Sequence, residues 1–256
     1  MKNSINLEDL ETAYSYKSNK ELKFTYFIFN ILQNQKLVKL LIACTNGILK
    51  YHLPFKIFIK KTVFNVFCAG EDINDAFLKI KYLEKFKVKS VLDYVSEGEN
   101  NSESFDNSTN IIVSNIIRLG KECPGNYVSV KITGLENPKF LTYCNGMEFV
   151  NDLIILPRFE RLINRIDLIC KTAYDSKVIV FIDAEDRCMQ DLFDEITEIM
   201  MRKYNKEHAV VFNTLQMYLK DRLEYLNRLV EDASKQNYVP GIKLVRGAYV
   251  EKEREK

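Results

Sequence analysis

Tryptophan is absent from the 256-residue sequence, and His52 and His208 are its only histidines. Six cysteines are present, but no two of them have the spacing of a CxxC pair. With so few imidazole and paired thiolate ligands, the sequence predicts no metal site. Scattered cysteines in a chain of this size indicate reduced thiols in an intracellular protein rather than a disulfide-stabilised secreted domain.

An excess of one charge is also missing, since 37 basic residues nearly balance 35 acidic ones and the net charge is +2. Nucleic-acid-binding domains usually have a basic excess, so we predict no nucleic-acid partner. No apolar run approaches the ~18 residues of a membrane span. The acidic N-terminal segment has neither a signal core nor the composition of a typical transit peptide. These features predict a cytoplasmic protein, soluble or at most peripheral at a membrane.

The motifs GxGxxG and GxxxxGK[ST] are absent too, which disfavours a Rossmann domain or a P-loop. Short apolar runs alternate instead with amphipathic helical segments, and we predict strands at 88–95, 127–133, 177–182, 209–212 and 241–245. This alternation is typical of parallel βαβ units. Five units are too few to close an eight-stranded barrel, and an open doubly wound sheet is the alternative.

The first 72 residues show helical rather than strand periodicity and predict an N-terminal helical arm, with a βα domain over residues 73–256. Within the arm we expect one helix from Glu21 that ends at Asn46-Gly47. Asp72 is a predicted N-cap for the helix that follows it. The polar segment Glu97–Asn110 is predicted to be an exposed loop.

Polar residues stand near the C-terminal ends of the predicted strands, where barrel enzymes hold their functional groups. They are Asp93, Lys131, Asp183, Glu185, Gln216 and, after the fifth strand, Arg246 and Tyr249. Between these last two, Gly247 and Ala248 allow a close approach of the backbone. Lys131 and Asp183 could pair across neighbouring strands and bind a zwitterion. Each residue also has an ordinary interpretation, such as a helix cap for Asp183 or a rim position for Gln216. These positions alone predict a βα protein that could be an enzyme.

Several sequence blocks resemble the proline dehydrogenase family and occur in the order of that family. The most specific are GIKLVRGAYVEKERE at 241–255, VFNTLQMYLKDRLEYL at 211–226 and FIDAEDRCMQD at 181–191. VSVKITGL at 128–135 and FCAGE at 67–71 are weaker matches. The resemblance implies a (βα)8 TIM barrel, of which about the first five units are present, after a helical arm. It also implies an FAD-dependent oxidoreductase that converts L-proline to Δ1-pyrroline-5-carboxylate and passes electrons to a membrane quinone.

The resemblance also implies roles for individual residues. Asp183 and Lys243 match catalytic positions, and Lys131 and Tyr249 match positions that contact proline. Cofactor-binding positions of the family match Ala184, Gln216, Arg246, Gly247 and Ala248. Pyrroline-5-carboxylate dehydrogenase is an additional candidate partner, and the location would be mitochondrial in a eukaryote.

Three βα units of the family, including a Thr-His pair and a helix with paired arginines, have no counterpart before Lys256. The alternative function is therefore a truncated, inactive fragment that at most binds flavin or a partner chain. A barrel oxidoreductase for a different amine is a third hypothesis. Lys56, Lys60 and Lys61 could contact a membrane surface, although a solvated helix face is the interpretation we favour.

Overall fold

The computed structural model describes residues 8–50, 62, 64–70, 72–94, 101–146, 155–247 and 249, without the side chains of 48–50. The chain divides into two compact units, Met1–Val88 and Lys89–Lys256. The predicted boundary after Asp72 differs from this division by 16 residues, because the helix that follows Asp72 clusters with the first unit. The boundary after Asp72 stays a prediction. No helix in the described parts of the chain is both long and apolar enough to span a membrane.

The described part of the first unit is helical, as predicted, and contains helices α1 to α5. They span Leu10–Ala13, Asn19–Leu32, Gln35–Lys50, Asn65–Phe67 and Ile73–Glu84. Asp72 caps α5 as expected, since its side chain accepts hydrogen bonds from the backbone N–H groups of Asn74 and Asp75. The expected helix end at Asn46-Gly47 was wrong, because α3 continues through it. The break lies instead at Asn34, whose side chain accepts from the N–H groups of Lys36 and Leu37, and a helical glycine costs only about 1 kcal/mol.

The second unit alternates strands and helices. Its strands are β1 Val91–Asp93, β2 Tyr127–Val130, β3 Ile179–Ile182, β4 Val211–Gln216 and β5 Ile242–Val245. Its helices are α6 Ser102–Glu122, α7 Pro138–Cys144, α8 Leu156–Ser176, α9 Gln190–Tyr204 and α10 Arg222–Gln236, with short 3₁₀ turns at Ile132–Gly134 and Arg187–Met189.

All five strands are parallel and lie in the order β1-β2-β3-β4-β5. A doubly wound sheet requires the order to reverse at a switch point, so this sheet is not doubly wound. Right-handed crossovers between consecutive neighbours place every connecting helix on one face of the sheet, as in a (βα)8 barrel. The sheet order therefore decides between the two architectures that the alternation of strands and helices left open.

The strand register separates a helix-facing side from an inner side. Val128, Val180 and Val211 occupy one row and are at most 2% exposed. Asn213 is on the same side of β4 as Val211, and its amide donates to Asp194 of α9 and to the hydroxyl of Tyr225 in α10. Residues of the alternate rows therefore point to the inner side of the sheet.

A buried ionic network joins the helices α9 and α10 to β4. Asp194 is 3% exposed and accepts from the side chains of Gln190, Asn213 and Arg222 at 2.9, 2.8 and 2.5 Å. Arg222 is 4% exposed and also donates to Asp221 at 2.8 Å. We call Asp194, Asn213, Arg222 and Tyr225 the helix-side network. It couples the two helices to β4, the strand that ends at Gln216.

In the second unit, two predicted elements differ clearly from the structure. The predicted loop Glu97–Asn110 becomes helix from Ser102, where Asn101 caps α6 by accepting from the N–H of Ser104. Phe105, Ser108 and Thr109 are buried there, so packing of this face overrides the polar composition. The fourth strand does not end at Phe212 but extends to Gln216, because residues Asn213–Gln216 continue the parallel pairing with Ile242–Val245 of β5.

Candidate functional site

Four charged side chains form a continuous row near the C-terminal ends of the strands. Lys131 Nζ lies 2.6 Å from Asp93 Oδ2 and 3.5 Å from Asp183 Oδ2. Lys243 Nζ donates to Asp183 Oδ1 at 2.7 Å. We call these four residues the charged row; its signs alternate, so two carboxylates neutralise two ammonium groups. The structure thus brings together Lys131, Asp183 and Lys243, and confirms the predicted pairing of Lys131 with Asp183.

The sheet register explains why residues so distant in sequence meet. The N–H of Asp183 donates to the carbonyl of Val130 at 2.9 Å, which extends the β2–β3 ladder to the point where Lys131 follows. Lys243 is aligned with Thr214 in the neighbouring strand β4. Its long side chain reaches across β4 to Asp183, as a lysine of this length can on the inner side of a sheet.

The charged row is partly open to solvent. The exposed fractions of the Asp93 and Lys131 side chains are 40% and 35%, whereas that of Asp183 is 18%. Burial opposes the charge of Lys131, but its hydrogen bonds and attraction to Asp93 and Asp183 outweigh this effect and raise the pKa of the Lys131 ammonium. Lys131 therefore stays a cation at neutral pH, while solvent still reaches it.

Aromatic rings lie beside the charged row on the inner side of the sheet. The ammonium of Lys243 is 5.3 Å from the ring centroid of Phe181. Phe181 packs edge-on against Phe212 at 5.4 Å and stacks with Tyr127 at 5.3 Å. A cation beside an aromatic face is attracted by the ring quadrupole, so Phe181 and Asp183 both hold the Lys243 ammonium in place.

Glu185 is a buried carboxyl group close to the charged row, with 7% of its surface exposed. It accepts from the backbone N–H of Thr133 at 3.1 Å and from the Thr133 hydroxyl at 2.5 Å. Burial raises the pKa of Glu185, although the bonds from Thr133 and the charge of Lys131 act in the opposite direction. Its backbone carbonyl accepts from the Gln216 amide at 2.7 Å.

Three inner-side polar atoms are buried without a hydrogen-bond partner among the described residues: Ser129 Oγ, Thr214 Oγ1 and Gln216 Oε1. Buried polar atoms in folded proteins nearly always have partners, so such atoms indicate a polar ligand or water. The donor of Gln216 is already engaged, which leaves its carbonyl oxygen to accept from an N–H group. A flavin ring offers such a group on its polar edge, so these residues fit the cofactor that the sequence resemblance implies.

The other predicted site residues are not members of the charged row. Arg246 is exposed, and its carbonyl accepts from the N–H of Tyr218 at 3.1 Å. Ala184 and Tyr249 are half-buried. Gly247 has φ of +130°, and a Cβ atom there would lie 1.6 Å from the Tyr218 ring, so only glycine fits this turn. The predicted residues outside the described parts of the chain are Ala248, Lys56, Lys60 and Lys61.

Sequence reasoning noted Glu185 at the end of the third strand but gave it no role, and it did not single out Thr133. The signal that could have linked them is their spacing, since Thr133 lies two residues after Lys131 and Glu185 lies two residues after Asp183. Where a strand gives way to a loop, period-two alternation is no longer guaranteed, so this interval by itself did not place them together. The described residues contain no group of three or more His, Cys, Asp or Glu side chains that could hold a metal ion.

Comparison with known sequences agrees with this geometry. A family profile described as proline dehydrogenase matches residues 76–256. Proline dehydrogenase 1, mitochondrial, of Dictyostelium discoideum is 29% identical over 97% of this chain and 51% of its own length. The protein of the same name from Drosophila melanogaster is 45% identical over 38% of this chain and 14% of its own length. The chain thus spans about half the length, or less, of these curated relatives.

The comparison with solved structures concerns the fold. The crystal structure of proline utilization A (PutA) from Bdellovibrio bacteriovorus, inactivated by N-propargylglycine, matches with a TM-score of 0.65 and 20% identity. The match covers 95% of this chain and 26% of that protein. The parallel sheet of five strands is thereby confirmed as part of a barrel of this type. Because the family profile covers well over half of the chain, the chain belongs to the proline dehydrogenase family.

Proposed function

We propose that the protein containing this chain oxidises L-proline to Δ1-pyrroline-5-carboxylate, with FAD as the hydride acceptor and a membrane quinone as the final electron acceptor. Membership of the proline dehydrogenase family supports proline oxidation. The observation that carries the proposal is the charged row, which offers separate positive and negative groups at the strand ends.

The chemistry of proline matches this arrangement. Free proline is a zwitterion whose carboxylate and ring nitrogen are one carbon apart. Lys131, held charged by Asp93 and Asp183, would bind the carboxylate through a charge-assisted hydrogen bond. Tyr249 is proposed to line the same pocket. A substrate-binding role for Lys131 also explains why a lysine occupies a half-buried position directly after an apolar strand.

The cofactor would be held by Gln216 and by the segment after β5. The free carbonyl oxygen of Gln216 would accept a hydrogen bond, and Arg246 would pair with a phosphate. Close approach of the backbone at Ala184, Gly247 and Ala248 would complete the contact surface. When bound, FAD supplies the hydride-accepting chemistry that amino-acid side chains lack.

Asp183 and Lys243 are proposed as the catalytic pair. The Asp183 carboxylate accepts from both lysines, so it fixes the position of each ammonium group relative to the other. The Lys243 ammonium is held in position by Asp183 and Phe181, and a fixed cation stabilises negative charge that develops nearby during the reaction. Preorganisation of this kind requires no rearrangement at the moment of reaction.

Partners and location follow from the same proposal. The relatives from Dictyostelium and Drosophila are named as mitochondrial, and a mitochondrial location is proposed if this chain is eukaryotic, with a cytoplasmic one otherwise. Pyrroline-5-carboxylate dehydrogenase is proposed as the enzyme that acts next. Peripheral membrane contact would bring the site near the quinone.

A visible absorption spectrum of the purified protein, recorded before and after addition of L-proline under anaerobic conditions, tests the proposal. We expect a flavin spectrum that bleaches with L-proline but not with the same concentration of D-proline or L-leucine. If the flavin stays oxidised with L-proline but bleaches with another amine, that amine would replace L-proline as the proposed substrate. Absence of bound flavin after reconstitution with FAD would contradict the proposal altogether.

A further inference from the structure

Glu185 connects two strand-end segments of the candidate site. It follows Asp183 by two residues, and its partner Thr133 follows Lys131 by two residues. Both carboxylate oxygens of Glu185 are engaged by Thr133, one by the N–H and one by the hydroxyl. The bridge therefore joins the segment after β2 to the segment after β3, two residues beyond Lys131 and Asp183.

A third segment is attached to the same residue. The backbone carbonyl of Glu185 accepts from Gln216 Nε2 at 2.7 Å, and this bond leaves Gln216 Oε1 as the free acceptor. Glu185 thus contacts the ends of three consecutive strands, and each of these ends bears a residue of the candidate site. Glu185 itself belongs to the segment after β3, and its hydrogen bonds reach the segment after β2 and the end of β4.

The contact between Lys131 and Asp183 depends on how these segments are held. Their separation of 3.5 Å is longer than the other two contacts of the charged row, 2.6 and 2.7 Å. The backbone connection between the two segments includes the hydrogen bond from the Asp183 N–H to the Val130 carbonyl. Beyond it, side-chain hydrogen bonds from Thr133 to Glu185 continue the connection, and a buried charge-assisted pair is strong and directional.

We propose that Glu185 is a positioning residue, which holds Lys131 against Asp183 through Thr133 and orients the free oxygen of Gln216 through its carbonyl. The identity of the ligand in this inference rests on the proposed function. The structural part of the inference is that the bridge from Glu185 to Thr133 sets the surroundings of Lys131. This part does not depend on the proposed function.

The cleanest test is Thr133→Val, because it removes the hydroxyl while keeping shape and net charge. Thr197→Val is the matched control: Thr197 is fully buried, but its hydroxyl donates to the Phe193 carbonyl within α9. Thr133→Ser restores a hydroxyl and should restore the behaviour of the wild type.

The first measurement is the rate at which acetic anhydride labels Lys131 in the full-length protein, followed by mass spectrometry. The attraction of Asp183 helps to keep the Lys131 ammonium protonated, and only the neutral amine reacts. Loosening the contact should therefore speed labelling by about two- to fivefold in Thr133→Val. Wild-type rates are expected in Thr197→Val and Thr133→Ser.

The second measurement is steady-state oxidation of L-proline. A positioning role predicts that Thr133→Val raises KM for L-proline more than it lowers kcat, since Lys131 contacts the substrate carboxylate. A merely structural role would reduce the active fraction, which lowers apparent kcat and leaves KM unchanged. Glu185→Gln is the second variant should Thr133→Val fail to fold, because glutamine retains an acceptor for the Thr133 N–H.

The two measurements separate this inference from the proposed function. Unchanged labelling of Lys131 in Thr133→Val and in Glu185→Gln would overturn the positioning role, whatever the activity. A wild-type protein that does not oxidise L-proline would overturn the proposed function, while the labelling rates would still decide the role of Glu185.

Discussion

Two groups of charged residues lie on opposite sides of the same sheet and differ in how deeply they are buried. In the helix-side network, Asp194 and Arg222 are 3% and 4% exposed, they are bonded to each other, and Arg222 also pairs with Asp221. In the charged row, side-chain exposure reaches 40% at Asp93, and unpartnered polar atoms lie nearby. The first arrangement is typical of a structural connection, and the second of a surface prepared for a ligand.

The difference shows that charge alone does not identify a functional site. Arg222 and Asp194 would attract attention in any search for buried ionic groups, and burial raises the pKa of Asp194 despite its partners. Both side chains are nevertheless almost fully buried, so they offer a ligand little accessible surface. Lys131 and Lys243 keep solvent access and retain hydrogen-bonding capacity, which is what binding requires.

The largest expected effect concerns the stability of the helix-side network. Asp194→Ala leaves the Arg222 guanidinium buried with only Asp221 as a close partner, and we expect a loss of about 3–5 kcal/mol in the free energy of unfolding. Urea denaturation would measure it. The control is Asp191→Ala on the same helix, where the side chain is 72% exposed and 3.9 Å from Arg222. Equal effects of the two substitutions would contradict a structural role for the network.

The next largest effect concerns activity at the charged row. Asp183→Asn removes the charge that lies between Lys131 and Lys243, so kcat/KM for L-proline should fall by about 100-fold or more. The unfolding free energy should change by less than about 1 kcal/mol, because the row is partly solvated. Asp175→Asn is the control, since Asp175 pairs only with an exposed lysine one helical turn away. Comparable losses of stability in Asp183→Asn and Asp194→Ala would remove the distinction between the two regions.

A smaller effect is expected for the acceptor of Gln216. Gln216→Met keeps the length of the side chain but removes its amide, and the dissociation constant for FAD should rise by about tenfold, the equivalent of roughly one hydrogen bond. Flavin fluorescence during titration with the apoprotein would measure it. The matched control is Gln236→Met on the exposed face of α10. An unchanged dissociation constant in Gln216→Met would mean that Gln216 does not contact the cofactor.

The smallest effect is a pH dependence of stability at Glu185. Burial raises its pKa in the folded protein, so the folded state holds this proton more tightly than the unfolded state does. The resulting contribution is complete below the unfolded pKa of ~4.3 and is lost as the pH rises through the folded-state value. Glu185→Gln lacks this titration. The difference in unfolding free energy between variant and wild type should shift in favour of Glu185→Gln from pH 4 to pH 7, and a constant difference would contradict it.

The sequence predicted which candidate residues would meet, because strand ends in parallel sheets lie at one edge. Lys131 and Asp183 were expected to pair, and they do, at 3.5 Å. The partner of Asp183 on the other side, Lys243, was assigned from the family resemblance, since periodicity could not show that it reaches across β4. Glu185 was given no role, because its buried bonds to Thr133 join two segments far apart in sequence, and no local pattern shows such a contact.

Errors in the predicted elements have a similar origin. The Ser- and Asn-rich stretch before Asn110 was predicted to be a loop from its composition, yet Phe105 and Thr109 are buried and the stretch is helical from Ser102. In α3, Gly47 did not end the helix, because a glycine within a helix costs only about 1 kcal/mol. Asn34 caps the start of α3 instead. Packing and caps act in the folded chain, whereas composition reports only average tendencies.

The sequence by itself determined the family and the alternation of strands and helices, because motif blocks and periodicity are local properties of the chain. It also selected Lys131, Asp183, Lys243 and Gln216 as the residues to examine. Only the tertiary structure decided the sheet order, the alternating contacts of the charged row and the central position of Glu185. These depend on the register between strands far apart in sequence, which is set by the packing of the whole sheet.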